Sequence, residues 1–326
     1  MREQFFVFLY YLELTALGVL ALGVLTTIAL WIRYQIGRFL DERRWRRIWD
    51  YQTTITLNPV KTVTIQPLYE WVTTTPQLYG DAGASYLVEV DGQKILFDLG
   101  DQRGWKKPSV LFKNIKALGF DPAKLLAELK AVVISHGHRE HAGGRTWGRN
   151  KRAPFNLIPH EVPIYEAKKA RPADEKYTEI LPGVALSEPL PGRVFLGGQV
   201  LERMLIINLE GKGLVCVAGD AHPEVLRMVH YASKVCGAPP YAFVGGIHAL
   251  LEKELPLRHR ILYSKRQPWR LTQPEEIGLV AVGLQEKGIK KVLLSAHDSD
   301  ATSLGIFGTV FGEDMDILRV GTTYKL

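Results

Sequence analysis

Three histidines and a carboxylate crowd into six positions, His136-Gly137-His138-Arg139-Glu140-His141, directly behind the apolar run Ala131-Val132-Val133-Ile134. The run is short and rich in β-branched residues, so it reads as a buried strand whose C-terminal end delivers the cluster. Nitrogen and oxygen donors gathered there, with Gly137, Gly143 and Gly144 letting the backbone turn, suit a borderline cation such as Zn²⁺, Mn²⁺ or Fe²⁺. The whole chain holds nine histidines, so three in six positions is a marked concentration. A solvated polar loop is the plainer alternative. A strand that must carry such a loop points to an α/β fold, where active sites collect at strand ends.

The chain has 326 residues and 46% hydrophobic content, enough for one large domain plus an appendage. Cys216 and Cys236 give no disulfide framework and fit a reducing compartment. The net charge of +7 is largely local. It concentrates behind an N-terminal apolar stretch, of which Leu14 to Ile32 is 19 residues without a charge and which reaches back to Phe5 with Glu13 as its interruption. About 20 apolar residues span a bilayer core as a helix. A cleaved signal peptide would need a basic start, a shorter apolar core and a small-residue cleavage site. Residues 1–32 therefore read as a retained single-pass membrane anchor. Gly18 and Gly23 are too far apart for a GxxxG dimerisation face.

Arg33, Arg38, Arg43, Arg44, Arg46 and Arg47 follow the span, against Arg2 alone before it. The positive-inside rule places that flank, and the chain behind it, in the cytoplasm. Trp31, Tyr34, Trp45 and Trp49 suit the headgroup region, so residues 33–54 read as a basic, aromatic juxtamembrane linker lying on anionic lipid. Lipid, rather than nucleic acid, is the expected partner: no nucleic-acid-binding module is visible.

Residues 55–326 read as a mixed α/β domain without internal repeats. Tyr86-Leu87-Val88-Glu89-Val90, Asp91-Gly92 and Lys94-Ile95-Leu96-Phe97-Asp98 spell a hairpin across a D-G turn. Helices are expected at Ser109 to Leu118 and Pro122 to Glu128, ahead of the histidine strand. Strands follow at Arg203 to Leu209 and Gly213 to Ala218, the second ending in Gly219-Asp220-Ala221-His222, with a helix from Val225 to Val235. Asp220 could simply cap that helix. Tyr241 to Gly246 leads to His248. A helix opening at the capping box Thr272-Gln273-Pro274-Glu275 feeds the strand Lys291 to Ala296, which ends at His297. His160 and His230 read as structural. The basic segment Leu250 to Leu271 reads as a surface excursion, with a lid or phosphate-binding rim as the alternative.

The segment Ser135-His136-Gly137-His138…His141-Ala142-Gly143-Gly144 resembles the HxHxDH signature of the metallo-β-lactamase superfamily, with Glu140 in place of aspartate. More narrowly it resembles the branch named for dihydropterin-methyl-aminobenzene-ribofuranose phosphate synthase, which reads SHGHYDHTGG. Phe97-Asp98-Leu99-Gly100 matches that superfamily's FDxG element. Asn114 falls where the branch usually has asparagine, and Gly245-Gly246-Ile247-His248 is similar to its GGFH element. The resemblance implies a four-layer αβ/βα metallo-β-lactamase fold. It implies that His136, His138 and His222 hold a first metal and that Glu140, His141 and His297 hold a second. Asp220 would bridge both, Asp98 would brace the metal loop, and His248 would face substrate or move a proton. Glutamate is a methylene longer than aspartate, so one or two ions of Zn²⁺, Mn²⁺ or Fe²⁺ remain open. The implied activity is metal-dependent hydrolysis by metal-activated water, on an anionic, phosphorylated or ester-bearing small molecule. A pterin-related synthase or transferase, a metal-dependent nuclease and a non-catalytic metal-binding membrane sensor are the alternatives.

Overall fold

In the computed structural model, residues 2–50, 54–101, 109–144, 158–167, 177–251, 264–267 and 269–326 are described. Two sheets organise the domain. The first runs Tyr324–Lys325, Val63–Tyr69, Ser85–Val90, Gln93–Phe97, Leu129–Ile134 and Ile164–Glu166 in spatial order. The second runs Met315–Ile317, Lys291–Leu294, Pro240–Gly245, Gly213–Ala218, Leu205–Leu209, Val184–Leu186 and Thr178–Leu181. The D-G hairpin forms as expected, with φ of 46° at Asp91 and 79° at Gly92, the left-handed pair that a two-residue turn demands. Asp91 then fixes the turn by accepting from the Lys61 and Thr62 backbone N–H groups.

Three apolar clusters fill the spaces on either side of and between these sheets. Ile65, Tyr86, Ile95, Val133, Leu205, Val217 and Leu293 pack sheet against sheet. Leu96, Val132 and Ile134 on the outer face of the first sheet meet Leu111, Ile115, Leu125 and Leu126. These last four lie on α2 (Val110–Ala117), capped by Ser109, and α3 (Pro122–Glu128), capped by Asp121. The outer face of the second sheet is covered by α4 (Val225–Cys236), α5 (Pro274–Glu286) and α6 (Ala301–Phe311). On α4, Val225, Met228, Val229, Ala232 and Val235 repeat at helical spacing and are buried, so the apolar stripe sets which face docks. The result is helix, sheet, sheet, helix: four layers.

The N-terminal segment differs from the sequence reading. Residues Arg2–Asp50 form one unbroken helix, α1. Its window of highest mean hydropathy is fully exposed, and it is long and apolar enough to cross a membrane. Its second part is not a linker, because Tyr34, Gly37, Asp41, Trp45 and Ile48 recur at three- and four-residue steps and are buried against the domain. Tyr34 Oη donates to the Lys265 carbonyl at 2.8 Å and Trp45 Nε1 to that of Pro191 at 3.0 Å. Asp41 pairs with Arg193 at 2.6 Å, and Glu42 with Arg227 at 2.8 Å. Trp49 stacks on Trp45 and tilts against His230. Tyr34, Trp45 and Trp49, expected at headgroup level, are thus docking residues, with the aromatic surface facing protein instead of lipid.

Candidate metal centre

Parallel pairing aligns the C-terminal ends of Leu129–Ile134 with Gln93–Phe97, and of Gly213–Ala218 with Pro240–Gly245 and Lys291–Leu294. The residues just beyond those ends are Asp98, Ser135-His136, Asp220, His248 and His297, so two sheets deliver five chain segments to one place. Backbone strain collects there too. Of the non-glycine residues with positive φ among those described, Asp98 (61°), Ala221 (49°), Glu224 (75°) and His248 (47°) lie in these loops. Such conformations persist only where the surroundings enforce them. Gly219 has no room for a side chain, since a Cβ there would collide with Ser135 Oγ.

Four imidazoles surround the Asp220 carboxylate in a common orientation. His141 Nε2 and His297 Nε2 each lie 3.0 Å from Oδ1, while His136 Nε2 and His222 Nε2 lie 3.4 and 3.9 Å from Oδ2. The opposite nitrogen of each ring is held by oxygen. His141 Nδ1 meets Asp98 Oδ2 at 2.7 Å, His222 Nδ1 meets Glu202 Oε2 at 3.2 Å, and His136 Nδ1 meets Ser135 Oγ at 2.9 Å. His297 Nδ1 meets Ser295 Oγ, which in turn contacts Glu70. Ser135 donates its one hydroxyl proton to Asp98 at 2.7 Å, so its oxygen accepts from His136 Nδ1–H. Each ring is thereby set to turn Nε2 inward, the arrangement that oriented metal-binding histidines share.

Ligand atoms of His136, His138, Asp220 and His222 lie within 4.8 Å of one another, as do those of His141, Asp220 and His297. The two groups meet at Asp220, one oxygen toward each. Nε2 of His136 and of His222 are buried without a hydrogen-bond partner among the described residues, which fits nitrogens that serve as metal ligands. The donor set, imidazole nitrogen with carboxylate oxygen, fits Zn²⁺, Mn²⁺ or Fe²⁺.

Electrostatics separate the two groups. Burial, then His136, push His138 down to about 4, and burial with His136 and His138 holds His222 well below its ordinary value. Both are therefore neutral near pH 7, the form a cation binds. Burial would also lower His141, but Asp220 and Asp98 raise it well above the usual value; Asp220 does the same for His297 against the same penalty. Burial would raise Asp220, yet His141, His297 and His136 hold its carboxyl far down.

No protein-family model matches the chain. A metal-dependent hydrolase of the beta-lactamase superfamily, known from its crystal structure, superposes with a TM-score of 0.54 at 21% identity, covering 81% of this chain and 99% of that one. The chain has the metallo-β-lactamase fold. A curated relative, the 7,8-dihydropterin-6-methyl-4-(beta-D-ribofuranosyl)-aminobenzene-5'-phosphate synthase of Methanocaldococcus jannaschii, is 25% identical over 297 residues, 74% of this chain and 89% of the relative. That relative carries the name of the branch to which the SHGH…HAGG segment points.

Within this metallo-β-lactamase fold the expected site residues fall as follows. His136, His138, His141, Asp220, His222 and His297 converge. Asp98 sits behind them, fully buried, accepting from Ser135 N at 2.6 Å as well as from Ser135 Oγ and His141. Asp220 does not cap α4, whose N-cap is Glu224. Glu140 falls outside both groups; its carboxylate lies 3.8 Å from His138 Nδ1 with a third of its side chain exposed. His248 forms a third cluster with Asp220 and Asp298, and Asp298 accepts from the His248 backbone N–H at 2.6 Å. Burial and Asp220 push Asp298 up to about 7. His160 is exposed, His230 rests against Trp49, and Arg258, His259, Arg260 and Tyr263 lie outside the described residues.

Three partners escaped the sequence reading. Glu202 is fully buried and accepts from the backbone N–H groups of Gly219, Asp220, Ala221 and His222, so it shapes the whole Asp220 loop. Glu70 receives Tyr86 Oη at 2.9 Å and supports Ser295 behind His297. Ser135 links Asp98 to His136. Only Ser135 carried a signal, its place beside His136 at the strand end.

Proposed function

We propose that the chain is a membrane-anchored, metal-dependent hydrolase acting on an anionic, phosphorylated or ester-bearing small molecule. The observation that carries this reading is the ring of four histidines, each braced at one nitrogen and turned by the other toward Asp220. His136, His138, Asp220 and His222 would hold one ion of Zn²⁺, Mn²⁺ or Fe²⁺. His141, Asp220 and His297 would hold another, with Glu140 close enough to join only if its side chain swings in. A cation so held supplies Lewis acidity, acidifying water and polarising an ester or phosphoryl oxygen. Asp98, Ser135, Glu202 and Glu70 keep the imidazoles oriented. His248, partly buried beside His222 with the two rings 5.2 Å apart, stands where it can pass a proton to or from a bound molecule. Helix α1 is read as the single-pass anchor, and the arginines behind its apolar part favour a cytoplasmic domain.

Metal analysis of the purified chain tests the core of this reading. About two equivalents of divalent metal are expected if both groups fill, and a His138→Ala variant should lose occupancy of the first group. A chain that binds no metal after anaerobic reconstitution with Zn²⁺, Mn²⁺ and Fe²⁺ would sink the proposal. His248→Ala separates ligand from proton carrier. It should retain the metal content of the parent while kcat falls by about 10²- to 10⁴-fold; parallel loss of metal would make His248 a ligand instead.

The curated relative supports a second reading, in which the same centre serves a synthase-type transfer. A panel of phosphodiesters, lactones and thioesters set against a dihydropterin and a ribosyl-aminobenzene phosphate distinguishes the two. Turnover of the pterin pair alone would replace hydrolase by synthase.

A further inference from the structure

A cavity of about 450 Å³ opens beside the metal centre, with His222 and His248 in its lining. One wall is helix α1, through Tyr34, Arg38 and Trp45; another is the segment carrying Lys265 and Arg270. The membrane-proximal helix therefore builds part of the chamber next to the site.

The charge in that chamber is unbalanced. Its carboxylates are already answered: Asp41 by Arg193, Glu42 and Glu224 by Arg227, and Glu276 by Arg266. Arg38 and Arg270 line the same cavity, and neither has an ion pair among the described residues. Lys265 Nζ donates to the carbonyls of Ala221 at 2.9 Å and Ile247 at 3.4 Å, between the loops that carry Asp220 and His248. An ammonium has three donors, so one remains for a ligand. Unpaired guanidinium groups suit a phosphate, which accepts two of their N–H groups at once.

The depth of the cavity follows from the helix. No spacer separates the apolar stretch from the domain: Arg33 already bonds the Leu196 carbonyl and Tyr34 is buried. At 1.5 Å per residue, Tyr34 and Arg38 lie about 3 and 9 Å beyond Ile32. A headgroup layer is roughly 5–8 Å thick on each side of the bilayer core. At the same level α1 turns Ile36, Phe39 and Leu40 outward, more than half exposed at 56%, 55% and 53%. The face that does not meet the domain thus stays apolar to the depth at which the cavity begins.

We propose that the substrate is a membrane amphiphile bearing a phosphate headgroup, bound through that phosphate by Arg38, Arg270 and Lys265 while its acyl chain remains in the bilayer beside α1. This rests on the hydrolase reading and names its substrate class.

The full-length chain, reconstituted in phosphatidylcholine vesicles doped with a phosphatidic acid photoreactive at its glycerol end, provides the test. Labelling mapped by mass spectrometry should fall on residues between Tyr34 and Trp45 and between Lys265 and Arg270. A double Arg38→Gln/Arg270→Gln variant should lose about tenfold of it, as expected for charge-assisted contacts, whereas Arg38→Lys/Arg270→Lys should retain most. Vesicle flotation and metal content, measured on the same samples, should be unchanged in both variants. Labels confined to the apolar stretch, or unaltered in the glutamine variant, would overturn the proposal. So would inorganic phosphate competing as strongly as the lipid, because the ligand would then come from solution. Labelling in a chain that binds no metal would leave the lipid site standing and remove the hydrolase; metal without labelling would do the reverse.

Discussion

Asp220→Ala is expected to empty both ligand groups at once, where any single histidine change disturbs only one. Its two oxygens each face a pair of histidines, at 3.0 and 3.0 Å on one side and 3.4 and 3.9 Å on the other. Removing the carboxylate takes away the anion that both ligand groups share, so the divalent charge in this buried setting is less well offset. Metal content should fall to near zero, and kcat/KM by at least about 10³-fold, the equivalent of several kcal/mol of lost Lewis-acid stabilisation. Asp220→Asn keeps the volume and one acceptor, so it should fold normally and still lose most of the metal. Equilibrium dialysis with Zn²⁺ on both variants, beside circular dichroism, decides the matter. Retention of two equivalents in Asp220→Ala would show that the two groups do not share this residue.

Features that a few neighbouring residues determine were the ones legible in the sequence. Asp91-Gly92 sets a left-handed turn by its own geometry, and the strands on either side follow from alternation. The meeting of Asp220 and His297 was also readable, since each follows an apolar strand and parallel strands of one sheet end at one edge. That His136, on the other sheet, joins them followed from the family resemblance. Glu202 and Glu70 were not. Their roles come from backbone N–H groups and hydroxyls far along the chain, and a carboxylate at a strand end looks the same whether it faces water or a buried loop. The docked part of α1 failed for a related reason. Tyr34, Trp45 and Trp49 among arginines satisfy the pattern of an interfacial helix, yet Tyr34, Gly37, Asp41, Trp45 and Ile48 equally spell a core-facing stripe. Local pattern gives the apolar face of a helix but not what covers it; here Pro191, Arg193, Arg227 and Lys265 do.

That docking makes the outcome of truncation depend on where the cut falls. A chain beginning at residue 33 loses only the helical stretch whose most apolar window is fully exposed and should keep the domain's melting temperature within a few degrees. A chain beginning at residue 54 also loses Tyr34, Trp45 and Ile48, buried to 4%, 2% and 4% exposure, along with the Asp41–Arg193 and Glu42–Arg227 pairs. Burying a large apolar side chain contributes about 1.5–3 kcal/mol, so three of them amount to roughly 5–9 kcal/mol. That is comparable to the whole stability of an ordinary domain. The shorter chain also uncovers the apolar side chains among which Trp45 and Ile48 pack, creating an apolar patch prone to self-association. It should therefore aggregate or melt at least about 10 °C lower, and Trp45→Ala in the intact chain should account for about 3–5 kcal/mol of the loss. Calorimetry of the two truncations side by side is decisive: equal melting temperatures would mean that residues 33–50 do not hold the domain together, and that α1 serves as an anchor alone.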